Sequence, residues 1–183
     1  MKYFHLNIIV LITSTLIFFA TYFGQQDSIN HPETISQLKQ EEDGISTIAS
    51  NLKVPLEIAW GPDNQIWIAE HFGMISRMDP QTRSRKTLLK LTDIWQSRTA
   101  GLLGMVLHSD MKKFPYVFLS YTIQKDKKYL MRLVRYKSSP DTLNEPKILM
   151  EIPAANGHNG SRLAVSEGLL YWATGDALSL TDS

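Results

Sequence analysis

The chain has 183 residues, 43% of them hydrophobic and 20% charged, and 19 Lys and Arg against 18 Asp and Glu give a formal net charge of +1. Ten glycines and eight prolines exclude a collagen-like or low-complexity chain, and the charge balance argues against nucleic acid as the main partner. There is no cysteine, which excludes a disulfide scaffold, a thiolate metal site, an iron–sulfur cluster and a cysteine nucleophile.

Lys2 is the only charged side chain before Asp27, and residues 6–23 between them are almost wholly apolar. A basic start followed by an apolar run is the plan of a secretory signal. The run also approaches the roughly 20 apolar residues that cross a bilayer, and no small-x-small cleavage site stands out. Residues 1–24 therefore read as a signal peptide or as an uncleaved signal anchor, with residues 6–23 as a membrane tether. Either way the remainder is exported, to the periplasm or the extracellular side. The lack of cysteine fits a bacterial envelope. Residues 25–44, with Asn30, Pro32 and the run Glu41-Glu42-Asp43, read as a polar linker.

From residue 45 the pattern is one of strands and turns. Residues 45–49 alternate as a short strand. Residues 56–60, 65–70, 74–78 and 87–91 follow as strands, broken at Gly61-Pro62-Asp63-Asn64, Phe72-Gly73 and Asp79-Pro80, which predicts an antiparallel meander. A second set spans 103–107, 116–121, 129–136 and 147–152. A third begins with 161–165 and 169–174 around Glu167-Gly168. No stretch in this region carries a sustained helical period. The unit recurs about every 50 residues, as four-stranded propeller blades do. A β-sandwich shares the short strands but predicts no such repeat. The expected fold class is therefore all-β, a β-propeller. Propellers carry at least about four blades, so residues 45–183 are expected to hold only the first two to three, the N-terminal part of a longer domain.

The third set opens with Asn156-Gly157-His158-Asn159-Gly160, a histidine on a loop of small and polar residues. Binding groups collect on such loops at the rim of a rigid scaffold, and imidazole is the side chain suited to act as a base near neutral pH. Asp176 follows the next strand. In an antiparallel pair, the start of one strand and the end of its neighbour share an edge, so His158 and Asp176 can meet. A carboxylate on one ring nitrogen leaves the other free to take a proton. On spacing alone, a surface histidine and a turn aspartate remain the plainer reading. His71 reads as a surface histidine without metal-ligand spacing, and His108 as a structural residue at a strand–turn corner. Arg132 and Arg135 read as part of a solvated outer face. No metal site is read from the sequence.

Four segments in order change that balance. Residues 58–79, with Gly61-Pro62-Asp63; Gly101-Leu102-Leu103-Gly104 ahead of His108-Ser109-Asp110; His158-Asn159-Gly160-Ser161-Arg162-Leu163; and Leu170-Tyr171 with Gly175-Asp176-Ala177 together resemble the quinoprotein glucose/sorbosone dehydrogenase family. The resemblance runs from about residue 46 to residue 177. It implies a six-bladed propeller that uses pyrroloquinoline quinone (PQQ) and calcium to oxidise an aldose or a related sugar or alcohol. It further implies that His158 removes the hydroxyl proton while hydride passes to the quinone, and that Asp176 holds His158. Asn159 and Arg162 are expected to shape the loop.

The sequence departs from the family pattern at Ser109, Met111, Ser161 and Glu167. It also carries Thr99-Ala100 where glucose-oxidising members have Gln-Asn, and Gly157 where they have Asp. The calcium loop and most quinone-binding residues are expected beyond Ser183, so cofactor-binding residues stay unassigned here and this segment alone is expected to be inactive. The resemblance leaves the electron acceptor open. The competing reading is a non-catalytic propeller that binds a protein or glycan partner.

Overall fold

The computed structural model describes residues 44–177. The predicted signal or anchor at 1–24, and the linker up to residue 43, lie outside the described residues. The chain divides into two units, Met1–Ser50 and Asn51–Ser183, and the architecture below is that of the second.

Strands β1 (Pro55–Trp60), β2 (Ile66–Glu70), β3 (Met74–Met78) and β4 (Arg85–Lys90) form one antiparallel sheet in chain order. Its first turn follows from the local sequence. Gly61 N–H donates to the Gln65 carbonyl at 2.8 Å, and Asn64 takes the left-handed conformation (φ 58°) that asparagine tolerates. The Asp63 carboxylate accepts from Trp67 Nε1 at 3.2 Å and Arg77 Nη1 at 2.9 Å, which ties the turn to the two strands that follow.

The second sheet repeats the plan with β5 (Leu102–Leu107), β6 (Tyr116–Lys125), β7 (Lys128–Ser138) and β8 (Leu143–Ala154). A hairpin of β9 (Ser161–Ser166) and β10 (Leu169–Thr174) starts a third. The first strand of the second sheet, β5, lies against the first strands of both others, β1 and β9. The sheets thus radiate as successive blades from a shared inner line of strands. Trp67, Ile75, Val117, Leu119 and Val134 fill the space between the first two blades, and Phe118, Leu133 and Leu163 that between the second and third. Full burial of such a side chain stabilises by about 1.5–3 kcal/mol, so the packing between blades dominates the stability of the unit.

The described residues are all strand and turn with no helix, as the alternation predicts. The departures have physical causes. Residues 45–49 alternate in the sequence but form no strand; alternation alone does not supply the hydrogen-bonding ladder a strand needs. β8 is longer than predicted, and shifts in register against β7 at Leu133/Val134 and Arg135/Lys137 let the long pair twist. Arg132 is not solvated: its guanidinium pairs with Asp93 at 2.5 Å and Glu151 at 2.6 Å. Arg135 lies over the Tyr116 ring, 4.2 Å from its centre.

Candidate active site

β9 and β10 pair in regular register from Ser166↔Leu169 at the turn to Ser161↔Thr174 at the open end. The loop entering β9 and the residues leaving β10 therefore share one edge. Two backbone bonds fuse them there: Gly175 N–H to the Asn159 carbonyl at 2.5 Å, and Ala177 N–H to the His158 carbonyl at 3.1 Å. A side chain at Gly175 would put its Cβ 2.3 Å from the His158 carbonyl oxygen, so only glycine permits this approach.

Asn159 anchors the loop from below. It is 1% exposed. Its Oδ1 accepts from Ala155 N–H at 2.9 Å, and its Nδ2 donates to the Ala155 carbonyl at 2.9 Å and to Thr122 Oγ1 at 3.2 Å. This is the loop-shaping role expected of it. Arg162 departs from that expectation. Its Nη1 reaches both carboxylate oxygens of Glu57 on β1, at 2.9 and 2.8 Å, and so joins the third blade to the first.

His158 adopts φ 59°, a left-handed conformation that costs a non-glycine residue about 1–2 kcal/mol. The segment 95–99, which precedes β5, holds it from the outside. Thr99 Oγ1 accepts the His158 N–H at 2.8 Å, Trp95 Nε1 donates to Asn156 Oδ1 at 2.9 Å, and the Ser97 hydroxyl donates to the Asn156 carbonyl. The result places His158 Nδ1 3.7 Å from Asp176 Oδ1. That is an ion-pair distance once the ring is protonated and longer than a hydrogen bond. The His158 side chain is 63% exposed, so a substrate can reach it.

The pair borders a cleft of about 850 Å³. Val54, Phe72 and Leu103 give it an apolar wall, and His71, Arg98 and Thr99 its polar part. His71 overturns the reading of a surface histidine. It is 7% exposed and packs beneath Gly101, where a Cβ would lie 2.6 Å from its Nε2. Among the described residues that nitrogen has no hydrogen-bond partner. Burial lowers the His71 pKa below the usual 6.5, partly offset by a hydrogen bond to the Ala100 backbone, so the ring is neutral near pH 7. The room for the ring comes from Gly101, some thirty positions along the chain, so no local pattern around His71 announces its burial.

Other residues do structural work. His108 Nδ1 accepts from Asp110 N–H at 3.1 Å and its ring packs on Phe114, which agrees with the expected structural role. Ser161 lies between blades, 2.5 Å from Ser120 Oγ and accepting from Trp172 Nε1 at 3.1 Å. Among the described residues, no three His, Asp or Glu side chains cluster as a metal site.

Radiating four-stranded meanders with a His–Asp pair at one rim of a cleft define this chain as part of a β-propeller. The profile of the glucose/sorbosone dehydrogenase family matches residues 52–183, and the chain belongs to that family. It is 33% identical over 158 residues to quinoprotein glucose dehydrogenase B of Acinetobacter calcoaceticus, a match covering 79% of this chain and 33% of that protein. The chain thus spans about a third of that relative's length. Among solved structures, it is similar to the PQQ-bound form of an aldose sugar dehydrogenase from Streptomyces coelicolor (27% identity, TM-score 0.65, 74% of this chain and 42% of that one). It is also similar to an oxidoreductase of Thermus thermophilus (28% identity, TM-score 0.65, 72% and 40%).

Proposed function

We propose that the protein oxidises an aldose or a related sugar or alcohol, with PQQ and calcium as cofactors and His158 as general base. The observation that carries this reading is the meeting of His158 and Asp176 on an exposed rim of the cleft, in a chain of a sugar dehydrogenase family. The residues present fit one wall of a quinone site. The apolar surface of Val54, Phe72 and Leu103 suits a planar ring system, and Arg98 offers donors for its carboxylates. Among the described residues no cluster of acidic side chains gathers for calcium, so no calcium ligand is assigned to them. When bound, PQQ supplies the two-electron acceptor for the hydride.

The chain's own residues handle the proton. His158 Nδ1 faces Asp176, which leaves Nε2 to accept the proton from the sugar hydroxyl as the carbon–hydrogen bond breaks. The Asp176 carboxylate then stabilises the imidazolium and keeps the ring turned toward the substrate. We further propose that residues 1–24 export the chain, as a cleaved signal or as an anchor, that residues 25–44 form the linker, and that catalysis takes place outside the cytoplasm.

The test is dye reduction with a panel of aldoses by intact protein loaded with PQQ and calcium. His158→Gln should lower turnover by about 10²–10⁴-fold while quinone titration is unchanged. Asp176→Asn should lower it less, because it disturbs orientation and spares the base. Unchanged turnover in His158→Gln would remove the mechanism. Failure of the wild-type protein to bind quinone would favour the non-catalytic propeller. A reporter active only in the cytoplasm, fused after residue 44, should be inactive; activity there would overturn the export reading.

A further inference from the structure

Three features converge on the loop that carries His158. Its backbone is in a conformation that a non-glycine residue holds only when its surroundings fix it. Ala177 N–H holds the His158 carbonyl from the neighbouring strand end, and the contacts on the amide side come from one short segment, 95–99, through Trp95, Ser97 and Thr99. That segment is itself tied to β6, since Trp95 N–H donates to the Thr122 carbonyl at 2.7 Å and the Trp95 ring packs on Tyr129, 5.2 Å between centres. The clasp thus runs from a rigid strand pair to the amide of His158.

Space is matched as well as bonding. A Cβ at Gly157 would lie 2.7 Å from Thr99 Oγ1. The hydroxyl can approach the His158 amide only because position 157 has no side chain. Thr99 and Gly157, 58 positions apart in the chain, are therefore one fitted pair.

We propose that Thr99 is a positioning residue for the reaction: its hydroxyl, seated against Gly157, accepts the His158 N–H and thereby fixes the left-handed backbone that aims the imidazole at Asp176 and the cleft. The inference rests on the reading of His158 as the base and adds what sets its aim. A misplacement of about 1 Å at a reacting group can cost on the order of 10²-fold in rate. The loss of this one bond therefore falls on kcat, while substrate binding to the rest of the cleft is kept.

The experiment compares Thr99→Val, Thr99→Ser and Gly157→Ala in the intact protein. Exchange of the His158 amide proton is followed by NMR without cofactor, and kcat and KM are measured with PQQ and calcium. Thr99→Val is nearly isosteric and removes the hydroxyl that accepts the His158 N–H. It should speed exchange of the His158 amide and lower kcat by roughly 10- to 100-fold at near-constant KM. Gly157→Ala, which pushes the hydroxyl away, should do the same. Thr99→Ser should restore both readouts. Wild-type kcat in Thr99→Val, whether or not exchange of the His158 amide speeds up, or no rescue by Thr99→Ser, would overturn the positioning role. Fast amide exchange in Thr99→Val with full activity in His158→Gln would confirm the clasp as a structural bond and overturn the base that the proposal requires.

Discussion

Replacing Asn159 by alanine should be among the most damaging single changes in the described residues, although its side chain touches no substrate. Asn159 is 1% exposed and makes three hydrogen bonds, two to Ala155 and one to Thr122. A buried hydrogen bond contributes about 1 kcal/mol net, and leaving its partner unsatisfied adds to the loss. Three bonds put the cost of Asn159→Ala at about 3 kcal/mol. Asn159→Asp is the sharper probe. The aspartate keeps the acceptor for Ala155 N–H but loses both donors and buries a charge, so at pH 7 it should destabilise at least as much as alanine. Burial raises that carboxyl's pKa in the folded state, so part of the deficit should be recovered as the pH falls and the group takes up a proton. Chemical denaturation of the wild type and both variants, at pH 7 and pH 5, measures all of this. A loss below about 0.5 kcal/mol in Asn159→Ala, the range of ordinary surface changes, would refute the view that this side chain anchors the loop. So would an aspartate variant as stable as the wild type at pH 7.

Gly175→Ala should disrupt the same loop from the other strand, because backbone atoms of His158 and Asn159 occupy the space a Cβ needs; loss of both stability and dye-reducing activity is expected, and a fully active variant would contradict the geometry. Glu70 is wholly buried, accepts the Lys53 N–H at 2.5 Å and pairs with Arg85; Glu70→Ala should cost about 2–4 kcal/mol, at or below the range for broken buried pairs because Arg85 is partly exposed, as measured by denaturation. His71 is held neutral by burial, so below about pH 6.5 the unfolded chain binds a proton that the folded chain does not. Stability should therefore fall as the pH drops through that value and level off once folded His71 protonates, and His71→Gln should flatten this part of the profile relative to the wild type.

The strands were legible because their signals are local. Alternating apolar residues and turn formers such as Gly61-Pro62-Asp63-Asn64 lie within a few positions of what they determine, and the hairpin of β9 and β10 follows the sequence pattern closely. The same locality brought His158 and Asp176 to one edge. Where the outcome depended on distant partners, the sequence was silent. His71 looks like any polar residue at a strand end, and its burial is decided by Ala100 and Gly101, some thirty positions later. The alternation at 45–49 promises a strand, but a strand needs a ladder, and alternation carries no information about a partner. Thr99 and Gly157 stood out only as two separate departures from a family pattern. That they are neighbours is a fact of the folded chain.

The bond between Arg162 and Glu57 has a consequence for the order in which the chain assembles. Its partners are 105 residues apart, whereas each hairpin in the three sheets joins strands separated by only a short turn. Closure entropy grows as the logarithm of loop length, so this bond costs roughly 2 kcal/mol more to close than a ten-residue hairpin. The meanders should therefore zip first, each on its own, and the clamp between the first and third blades should form late, on sheets already built. Because the Arg162 side chain is 73% exposed, salt screens the clamp. Raising the ionic strength should slow this late docking step and leave the early zippering of the blades unaffected.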